Sequence, residues 1–83
     1  MLIDYTQDPQ EFQGQLYDQS HGGPFDRGAA DSYYNRPRDP HWYPEGTYQG
    51  RRRGMEEMTA EEVQAYLAGY DYNEQYGDKK NWY

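Results

Sequence analysis

Apolar residues recur with a helical period near the C-terminal end of the chain. Val63, Tyr66, Leu67 and Tyr70 follow the spacing i, i+3, i+4, i+7, so they share one face of a helix. This pattern predicts a helix over residues 59–76. Its apolar face needs cover, which either the rest of the chain or a partner protein can supply.

Both ends of this helix are marked in the sequence. Thr59 and Glu62 form the T-x-x-E pattern of a capping box, in which each side chain accepts a hydrogen bond from the other residue's backbone N–H. Glu61 adds negative charge at the positive end of the helix dipole, and Gly77 is predicted to end the helix in the left-handed conformation. A glycine in a helix interior costs about 1 kcal/mol relative to alanine. Gly69 is therefore either a weak point or a place where another segment packs closely on the backbone.

The N-terminal residues 1–20 carry a weaker helical signal. Asp8 is placed to cap a helix, and Phe12 and Leu16 form an apolar i, i+4 pair after it. We therefore predict a short helix over about residues 9–18.

Residues 21–54 show no regular pattern. They contain ten glycine and proline residues, which break helices and strands, so this segment is predicted to be a long, extended loop rich in aromatic residues. Residues 55–83 hold the C-terminal helix and a short tail. The expected fold class is mostly irregular with α-helix: one C-terminal helix, a short N-terminal helix and a long Gly/Pro/Tyr-rich loop between them.

Composition limits how this chain can bury a core. Leu, Ile, Val and Phe together number only seven, whereas there are eleven Tyr and two Trp. Seven such side chains at about 1.5–3 kcal/mol each offset a small part of the lost conformational entropy, which is on the order of 100 kcal/mol for a chain of this size. Two organisations remain. One is a helix with aromatic tails that order on a partner, which the nine Gly and five Pro favour; the other is a loop-rich miniature fold held by tyrosines.

The charge balance is acidic, with a net charge of −7 at pH 7. This charge disfavours general nucleic-acid binding by long-range attraction, and it permits competition with nucleic acid for a basic protein surface. The sequence has no cysteine, no secretory signal and no apolar stretch of membrane-spanning length. We therefore expect a protein that acts in a cytoplasm, or inside an assembly built there, with no membrane partner.

Candidate catalytic chemistry is sparse. The two histidines, His21 and His41, lie in the Gly/Pro-rich segment without metal-ligand spacing. No phosphate-binding or nucleophile motif occurs, and so few aliphatic residues can scarcely build the dry cleft that acid–base catalysis needs. The sequence predicts a protein that is not an enzyme, with no catalytic residues, no metal and no cofactor.

Charged residues cluster just ahead of the C-terminal helix. Three consecutive arginines form the one concentrated positive patch, and four glutamates follow them closely. The arginines either contact a phosphate or an acidic surface, or fold back on the glutamates in solvated pairs worth about 0–1 kcal/mol each. The predicted charged contact residues are Arg51, Arg52, Arg53, Glu56, Glu57, Glu61 and Glu62.

An aromatic ribbon over residues 33–48 lies in the predicted loop. Its tryptophan and tyrosines could stack on bases, but no basic groove surrounds them, so insertion into a protein pocket is the better interpretation. With the apolar face of the C-terminal helix, this gives the predicted partner-binding residues Val63, Tyr66, Leu67, Tyr70, Trp42, Tyr43 and Tyr48.

The C-terminal helix carries a family resemblance. The run Ala65-Tyr66-Leu67-Ala68-Gly69-Tyr70, followed by Gly77 and a terminal Trp82-Tyr83, resembles the A-Y-x-A-G helix of ribosome modulation factor and of related small phage and plasmid proteins. It covers about twenty of the 83 residues. That family is basic and silences ribosomes, whereas this chain is acidic and has Asn-Trp-Tyr where the family has Cys-Pro-Tyr. The resemblance implies a small accessory protein of phage or mobile-element type, while the acidic charge of this chain disfavours direct nucleic-acid binding.

Two functional hypotheses follow from these observations. The first is a non-enzymatic accessory protein of bacteriophage type that docks its tyrosine-rich helix and aromatic ribbon on a larger protein, as an inhibitor of a host enzyme or as a minor virion component. The alternative is an acidic nucleic-acid mimic or ribosome-associated regulator. In that case the residues that imitate phosphates are Glu56, Glu57, Glu61, Glu62, Asp71 and Glu74.

Overall fold

The computed structural model describes residues 10–44 and 50–80. Within these ranges the chain forms two helices, two antiparallel pairs of short strands and one turn of 3-10 helix. In chain order the elements are β1 (Gln10–Phe12), β2 (Gln15–Tyr17), α1 (Pro24–Tyr33), β3 (His41–Trp42), β4 (Arg53–Gly54), the 3-10 turn (Met55–Glu57) and α2 (Ala60–Tyr76). The expected class, mostly irregular with α-helix, is confirmed in this general form, while several details differ.

Helix α2 is the predicted C-terminal helix, and its capping box is formed. The Thr59 hydroxyl accepts a hydrogen bond from the Glu62 N–H at 3.1 Å, and the Glu62 carboxylate accepts one from the Thr59 N–H at 2.9 Å. The predicted left-handed helix end is wrong. Gly77 has φ −96° and ψ 178°, which is extended backbone, and its N–H donates to the Asn73 carbonyl at 2.9 Å.

Helix α1 lies inside the segment predicted to be a loop, so that prediction is corrected. Pro24 occupies the first turn, where its missing N–H and fixed φ suit a helix. Asp26 adds negative charge in the same turn and accepts a hydrogen bond from the Gly22 N–H at 2.9 Å. Gly28 and a largely polar composition conceal this helix, because an isolated glycine counts against a helix when only the sequence is considered.

A β-hairpin replaces the short helix predicted over residues 9–18. Strands β1 and β2 pair in antiparallel register, with Phe12 opposite Gln15. The turn residues Gln13 and Gly14 have φ of 53° and 82°, the positive values that a tight hairpin turn requires. The turn chemistry therefore overrides the apolar i, i+4 pair.

The hairpin separates the two apolar residues on which the helix prediction rested. A helix would place Phe12 and Leu16 on the same face. In the hairpin they belong to different strands, and Phe12 is 5% exposed whereas Leu16 is 66% exposed. Of these two residues, only Phe12 contributes to the core.

The two helices touch backbone to backbone at a pair of glycines. A Cβ atom on Gly28 would lie 1.9 Å from the Tyr66 carbonyl oxygen, and one on Gly69 would lie 2.0 Å from the Phe25 carbonyl oxygen. The contact is reciprocal, because each glycine meets the residue one helical turn before the other glycine. Gly69 is therefore a place where another segment packs closely on the backbone, which is the second of the two interpretations given above.

Aromatic rings fill the core beside this crossing. Phe12, Tyr17 and Phe25 are buried with Ala68, and Tyr72 packs against them. The Tyr17 and Phe25 rings stack with centroids 5.4 Å apart, and the Phe12 and Tyr72 rings meet edge to face at 5.8 Å. The described residues thus form a miniature fold held largely by aromatic side chains, which is one of the two organisations that composition allowed.

The glycine contact predicts an unusual response to alanine. In an ordinary helix interior, replacing glycine by alanine stabilises the protein by about 1 kcal/mol. Here we expect Gly28→Ala and Gly69→Ala each to lower the free energy of unfolding by at least about 2 kcal/mol, because the added methyl group forces the helices apart. Urea unfolding followed by circular dichroism measures the change.

Gly77→Ala is the matched control at the end of α2. Its Cβ would lie 1.9 Å from the Asn73 side-chain oxygen, and this side chain can move at the cost of its hydrogen bonds to Ser32 and Asp78, whereas the backbones of two packed helices cannot. We expect a smaller loss there. An equal loss in all three variants, or a gain in stability at Gly69, would contradict the account of the crossing.

Candidate functional site

Tyr66 lies at the centre of a buried polar network between the two helices. Its side chain is 0% exposed. Its hydroxyl donates a hydrogen bond to the Asp31 carboxylate of α1 and accepts one from the Asp39 backbone N–H at 2.9 Å. Burial, followed by the hydrogen bond to Asp31, raises the pKa of Tyr66 well above its ordinary value. This one hydroxyl ties α1 and the segment before β3 to α2.

His41 extends the network to strand β3. Its Nδ1–H donates to the Asp39 carbonyl at 2.7 Å, and its Nε2 accepts from the Arg27 Nε–H at 3.4 Å. These partners select a neutral imidazole with the proton on Nδ1. The ring is 5% exposed, and Nδ1 also lies 3.8 Å from the Asp31 carboxylate. Both ring nitrogens are therefore engaged inside the fold.

An open pocket of about 260 Å³ adjoins this network, and we call it the arginine pocket. Its lining residues are Arg27, Asp31, Arg36, Pro37, Asp39, His41, Tyr43 and Arg52. Arg27, Asp31 and His41 are its buried members, whereas the side chains of Arg36 and Arg52 are 49% and 43% exposed. With His41 neutral, three guanidinium groups and two carboxylates give the lining a formal charge of +1.

The guanidinium groups of the arginine pocket are oriented by contacts within the chain. Arg36 Nη1 lies 3.4 Å from the Asp31 carboxylate, and Arg52 Nη2 donates to the Asp39 carboxylate at 2.7 Å. Arg27 is 6% exposed, and its Nε–H is directed at His41 as described. The pocket is thus shaped by the fold itself.

A second groove, of about 460 Å³, is acidic, and we call it the acidic groove. Its lining residues are Asp18, Pro24, Trp42, Thr59, Glu61, Glu62 and Ala65. This lining contains three carboxylates and no basic side chain. Because successive side chains along a strand point to opposite faces, Trp42 lines the acidic groove while its neighbours His41 and Tyr43 line the arginine pocket.

The predicted apolar face of α2 is divided by the fold. Tyr66 and Tyr70 are 0% and 8% exposed, so the chain itself covers these two predicted partner-binding residues and neither presents a free surface. Val63 and Leu67 are half-buried. The cover that this face requires comes mainly from α1 and the segment after it.

The predicted aromatic residues Trp42 and Tyr43 are half-buried; Trp42 lines the acidic groove and Tyr43 lines the arginine pocket. Tyr48 lies outside the described residues. Among the described residues, the Trp42 indole N–H and the Nε of Arg53, which are opposite each other in the β3–β4 pair, are buried donors without an acceptor. Trp42 and Tyr43 keep enough exposed area to contact a ligand.

The three consecutive arginines do not act as one patch. Arg51 donates two hydrogen bonds to the Glu57 carboxylate at 2.8 and 2.7 Å, and this pairing lowers the pKa of Glu57. Arg51 therefore follows the fold-back interpretation. Arg52 bonds instead to Asp39, in the arginine pocket, while Arg53 lies in strand β4.

Residues 36–39 contact α2 through hydrogen bonds and a cation–π contact that involve Tyr70 and Arg38. The Tyr70 hydroxyl donates to the Arg36 carbonyl. The Arg38 guanidinium lies 4.4 Å from the Tyr70 ring centroid and donates to the Asp71 carboxylate at 2.7 Å, a bond that raises the pKa of Arg38. These contacts give a definite path to a segment that was expected to be a loop.

A second polar cluster joins the end of α1 to the residues that follow α2. Ser32 is 0% exposed; its hydroxyl donates to the Glu74 carboxylate at 2.7 Å and accepts from the Asn73 amide at 3.0 Å. The Lys79 ammonium donates to the Ser32 carbonyl at 3.0 Å and to Glu74. Hydrogen bonds from Lys79 and then Ser32 lower the pKa of Glu74. The Ser32 hydroxyl is sealed from solvent, so this cluster is structural.

Residues 10–44 and 50–80 contain neither a candidate metal site nor a candidate membrane span. No group of three or more His, Asp or Glu side chains converges there as a metal site requires. No helix in this part of the chain is both long enough and apolar enough to cross a bilayer.

Most members of the arginine pocket were not anticipated from the sequence. Arg27 and Asp31 share a face of α1 at the spacing i, i+4, and recognition of that helix would have drawn attention to them. Arg36 and Asp39 carry no comparable signal, because their positions depend on how the segment between α1 and β3 crosses α2. Arg52 was predicted as a charged contact, though as part of a three-arginine patch.

The chain matches no protein-family model, and no curated protein or solved structure is significantly similar to it. The resemblance of α2 to ribosome modulation factor therefore stays a prediction. The features that bear on function are the arginine pocket, the acidic groove and the residues that line them.

Removal of the Tyr66 hydroxyl tests the buried network. We expect Tyr66→Phe to lower the free energy of unfolding by about 1–3 kcal/mol, because the buried Asp31 carboxylate loses a donor and the Asp39 N–H loses its acceptor. Tyr76→Phe is the control, since Tyr76 is 69% exposed, and it should change stability little. Equal unfolding midpoints in urea for the two variants would argue against the network.

The raised pKa of Tyr66 predicts a loss of stability at alkaline pH. The folded state holds the phenolic proton where the unfolded chain releases it, so this contribution is fully present below the ordinary tyrosine pKa of about 10 and is lost as the pH rises from there through the folded-state pKa. The stability difference between wild type and Tyr66→Phe should therefore shrink above about pH 10. Urea unfolding at a series of pH values from neutral to alkaline measures this difference; a constant value would contradict the raised pKa.

Proposed function

We propose that this chain is a non-enzymatic protein-binding protein whose contact surface is centred on strand β3 and Tyr43. One observation carries the proposal: residues 41–43, a short part of the aromatic ribbon that we call the 41–43 ribbon, separate two open depressions of opposite charge. The arginine pocket has a formal lining charge of +1, and the acidic groove is lined by three carboxylates. A partner that meets both presents an acidic group to one and a basic group to the other, as the surface of a folded protein can.

The aromatic residues of the ribbon suit this role. Trp42 faces the acidic groove and Tyr43 faces the arginine pocket, so each depression combines charge with an aromatic wall. Tryptophan, tyrosine and arginine are the residues that most often dominate the binding energy of protein interfaces. Complementary charge on both sides would fix the orientation of the partner.

The chemistry of the arginine pocket favours binding over catalysis. His41 uses both ring nitrogens inside the fold, and Asp31 is 3% exposed and accepts the Tyr66 hydrogen bond. A general base must reach the proton that it abstracts. A carboxylate that is almost wholly buried and already bonded to Tyr66, and an imidazole with both nitrogens in use, are poorly placed to act as general bases, which supports a protein without catalytic activity.

The partner class follows from the sequence. The resemblance of α2 to small phage and plasmid proteins supports an accessory protein of bacteriophage type. Its target would be a larger protein, either a host enzyme that it inhibits or a virion shell that it joins, in the host cytoplasm or the virion. Of the surface expected from the sequence, the proposal keeps Trp42 and Tyr43 and leaves out Tyr66 and Tyr70, because the chain itself covers those two side chains.

The acidic-mimic alternative has less support. Of the six carboxylates proposed to imitate phosphates, four are engaged within the chain: Glu57 with Arg51, Glu62 in the α2 cap, Asp71 with Arg38, and Glu74 with Lys79. A phosphate mimic needs its charges directed at the partner. Glu56 and Glu61 are the exposed members for which no such bond is present among the described residues.

Site-specific photo-crosslinking tests the proposed surface. A benzoylphenylalanine replaces Pro37 beside the arginine pocket, Glu61 beside the acidic groove, or Gln75 on α2 outside both; all three positions are exposed. In bacterial lysate or assembling virions, we expect Pro37 and Glu61 to yield adducts of the same mass and Gln75 to yield none. Equal labelling at all three positions, or different partners at Pro37 and Glu61, would contradict a single surface that spans the ribbon.

A further inference from the structure

The arginine pocket contains enough detail to define the group that it would hold. We infer that it binds a single carboxylate of an acidic peptide segment, an Asp or Glu side chain or a chain terminus, contributed by the partner. This inference rests on the proposed function, because it assigns part of the partner to a part of the proposed surface.

The local charge of the arginine pocket differs from that of the whole chain. The chain as a whole carries −7, yet this lining sums to +1 when His41 is neutral. A monoanion balances that charge. A phosphate monoester carries close to two negative charges, and it would face the Asp31 and Asp39 carboxylates in the same lining at a cost in repulsion.

The guanidinium groups of Arg36 and Arg52 have a geometry that can receive a carboxylate. A guanidinium has five N–H donors in a planar fork that matches a carboxylate. The contact of Arg36 with Asp31 and that of Arg52 with Asp39 each use one terminal nitrogen of the fork. Because these two arginines are already oriented, a ligand carboxylate can meet them without the full entropy cost of ordering long side chains.

The size and the walls of the pocket limit the ligand that it can hold. About 260 Å³ suits a single side chain and is below the volume of ordinary cofactor and drug sites. Pro37 and Tyr43 add apolar walls, against which the methylene groups of a glutamate can pack. Arg36 and Arg52 are about half exposed, whereas Asp31 and His41 are buried, so the charged end of the ligand meets the arginines at the open side.

Titration of arginine side-chain signals tests this inference on the full chain. The Nε–Hε resonances of ¹⁵N-labelled protein are followed by NMR while a capped peptide of acidic residues is added, with acetate, inorganic phosphate and chloride as separate probes at constant ionic strength. We expect saturable shifts of the Arg36 and Arg52 signals with the peptide, at a Kd in the millimolar range for one isolated carboxylate. Acetate should shift the same signals, and chloride should not.

Arg52→Gln and Arg38→Gln form a matched pair of variants. Both arginines are exposed and each bonds one carboxylate at 2.7 Å, but only Arg52 lines the pocket. Loss of one charge-assisted contact should weaken peptide binding about tenfold in Arg52→Gln, and Arg38→Gln should bind like the wild type. Because both pairs are at the surface, both variants are expected to fold.

Three results would overturn the carboxylate assignment. The first is the absence of saturable shifts with peptide or acetate. The second is equal weakening in the two variants, which indicates general electrostatics. The third is tighter binding of phosphate than of the peptide, which assigns the pocket to phosphate. If any of these occurs while the crosslinks at Pro37 and Glu61 persist, the pocket assignment fails alone; loss of the crosslink pattern removes the proposed function as well.

Discussion

The contact between the backbones of α1 and α2 at Gly28 and Gly69 is the constraint on which the rest of the structure depends. Each glycine places its Cα against a carbonyl of the other helix, where any side chain would collide. So close an approach permits Cα–H···O contacts, which are weak individually. Its main effect is positional, since it brings Asp31 on α1 within hydrogen-bonding reach of Tyr66 on α2. The buried network, and with it the arginine pocket, follows from that distance.

The polar network in turn determines the path of the chain between α1 and β3. The Tyr66 hydroxyl accepts a hydrogen bond from the Asp39 N–H, and the Asp39 carbonyl accepts one from the His41 Nδ1–H. Tyrosine is well suited to this position, because its ring supplies apolar area to a chain with few aliphatic residues while its hydroxyl satisfies buried polar groups. The many tyrosines thus compensate for the small aliphatic content, and they do so partly by polar bonding.

The C-terminal helix was predictable from the sequence because its signals are local. The capping box joins Thr59 and Glu62, which are three residues apart. The apolar spacing of α2 likewise relates residues three or four positions apart. Helix α1 was not predictable from the sequence. Its buried residues include Arg27, Asp31 and Ser32, and buried polar residues give no apolar stripe. The hairpin was concealed by an apolar pair that suits a helix equally well. The site depends on contacts between residues far apart in the chain, which no local pattern encodes.

The central claim is that α1 and α2 cross at their glycines and so build the site. The most direct measurement is the set of nuclear Overhauser effects between these two helices in solution. The account predicts strong effects between the Gly28 Hα and the Tyr70 amide proton, and between the Gly69 Hα and the Phe25 Hα, since a Cβ at these glycines would lie within about 3 Å of Tyr70 N and Phe25 Cα. Absence of both, in a protein whose α2 resonances are otherwise helical, would contradict the crossing and everything inferred from it.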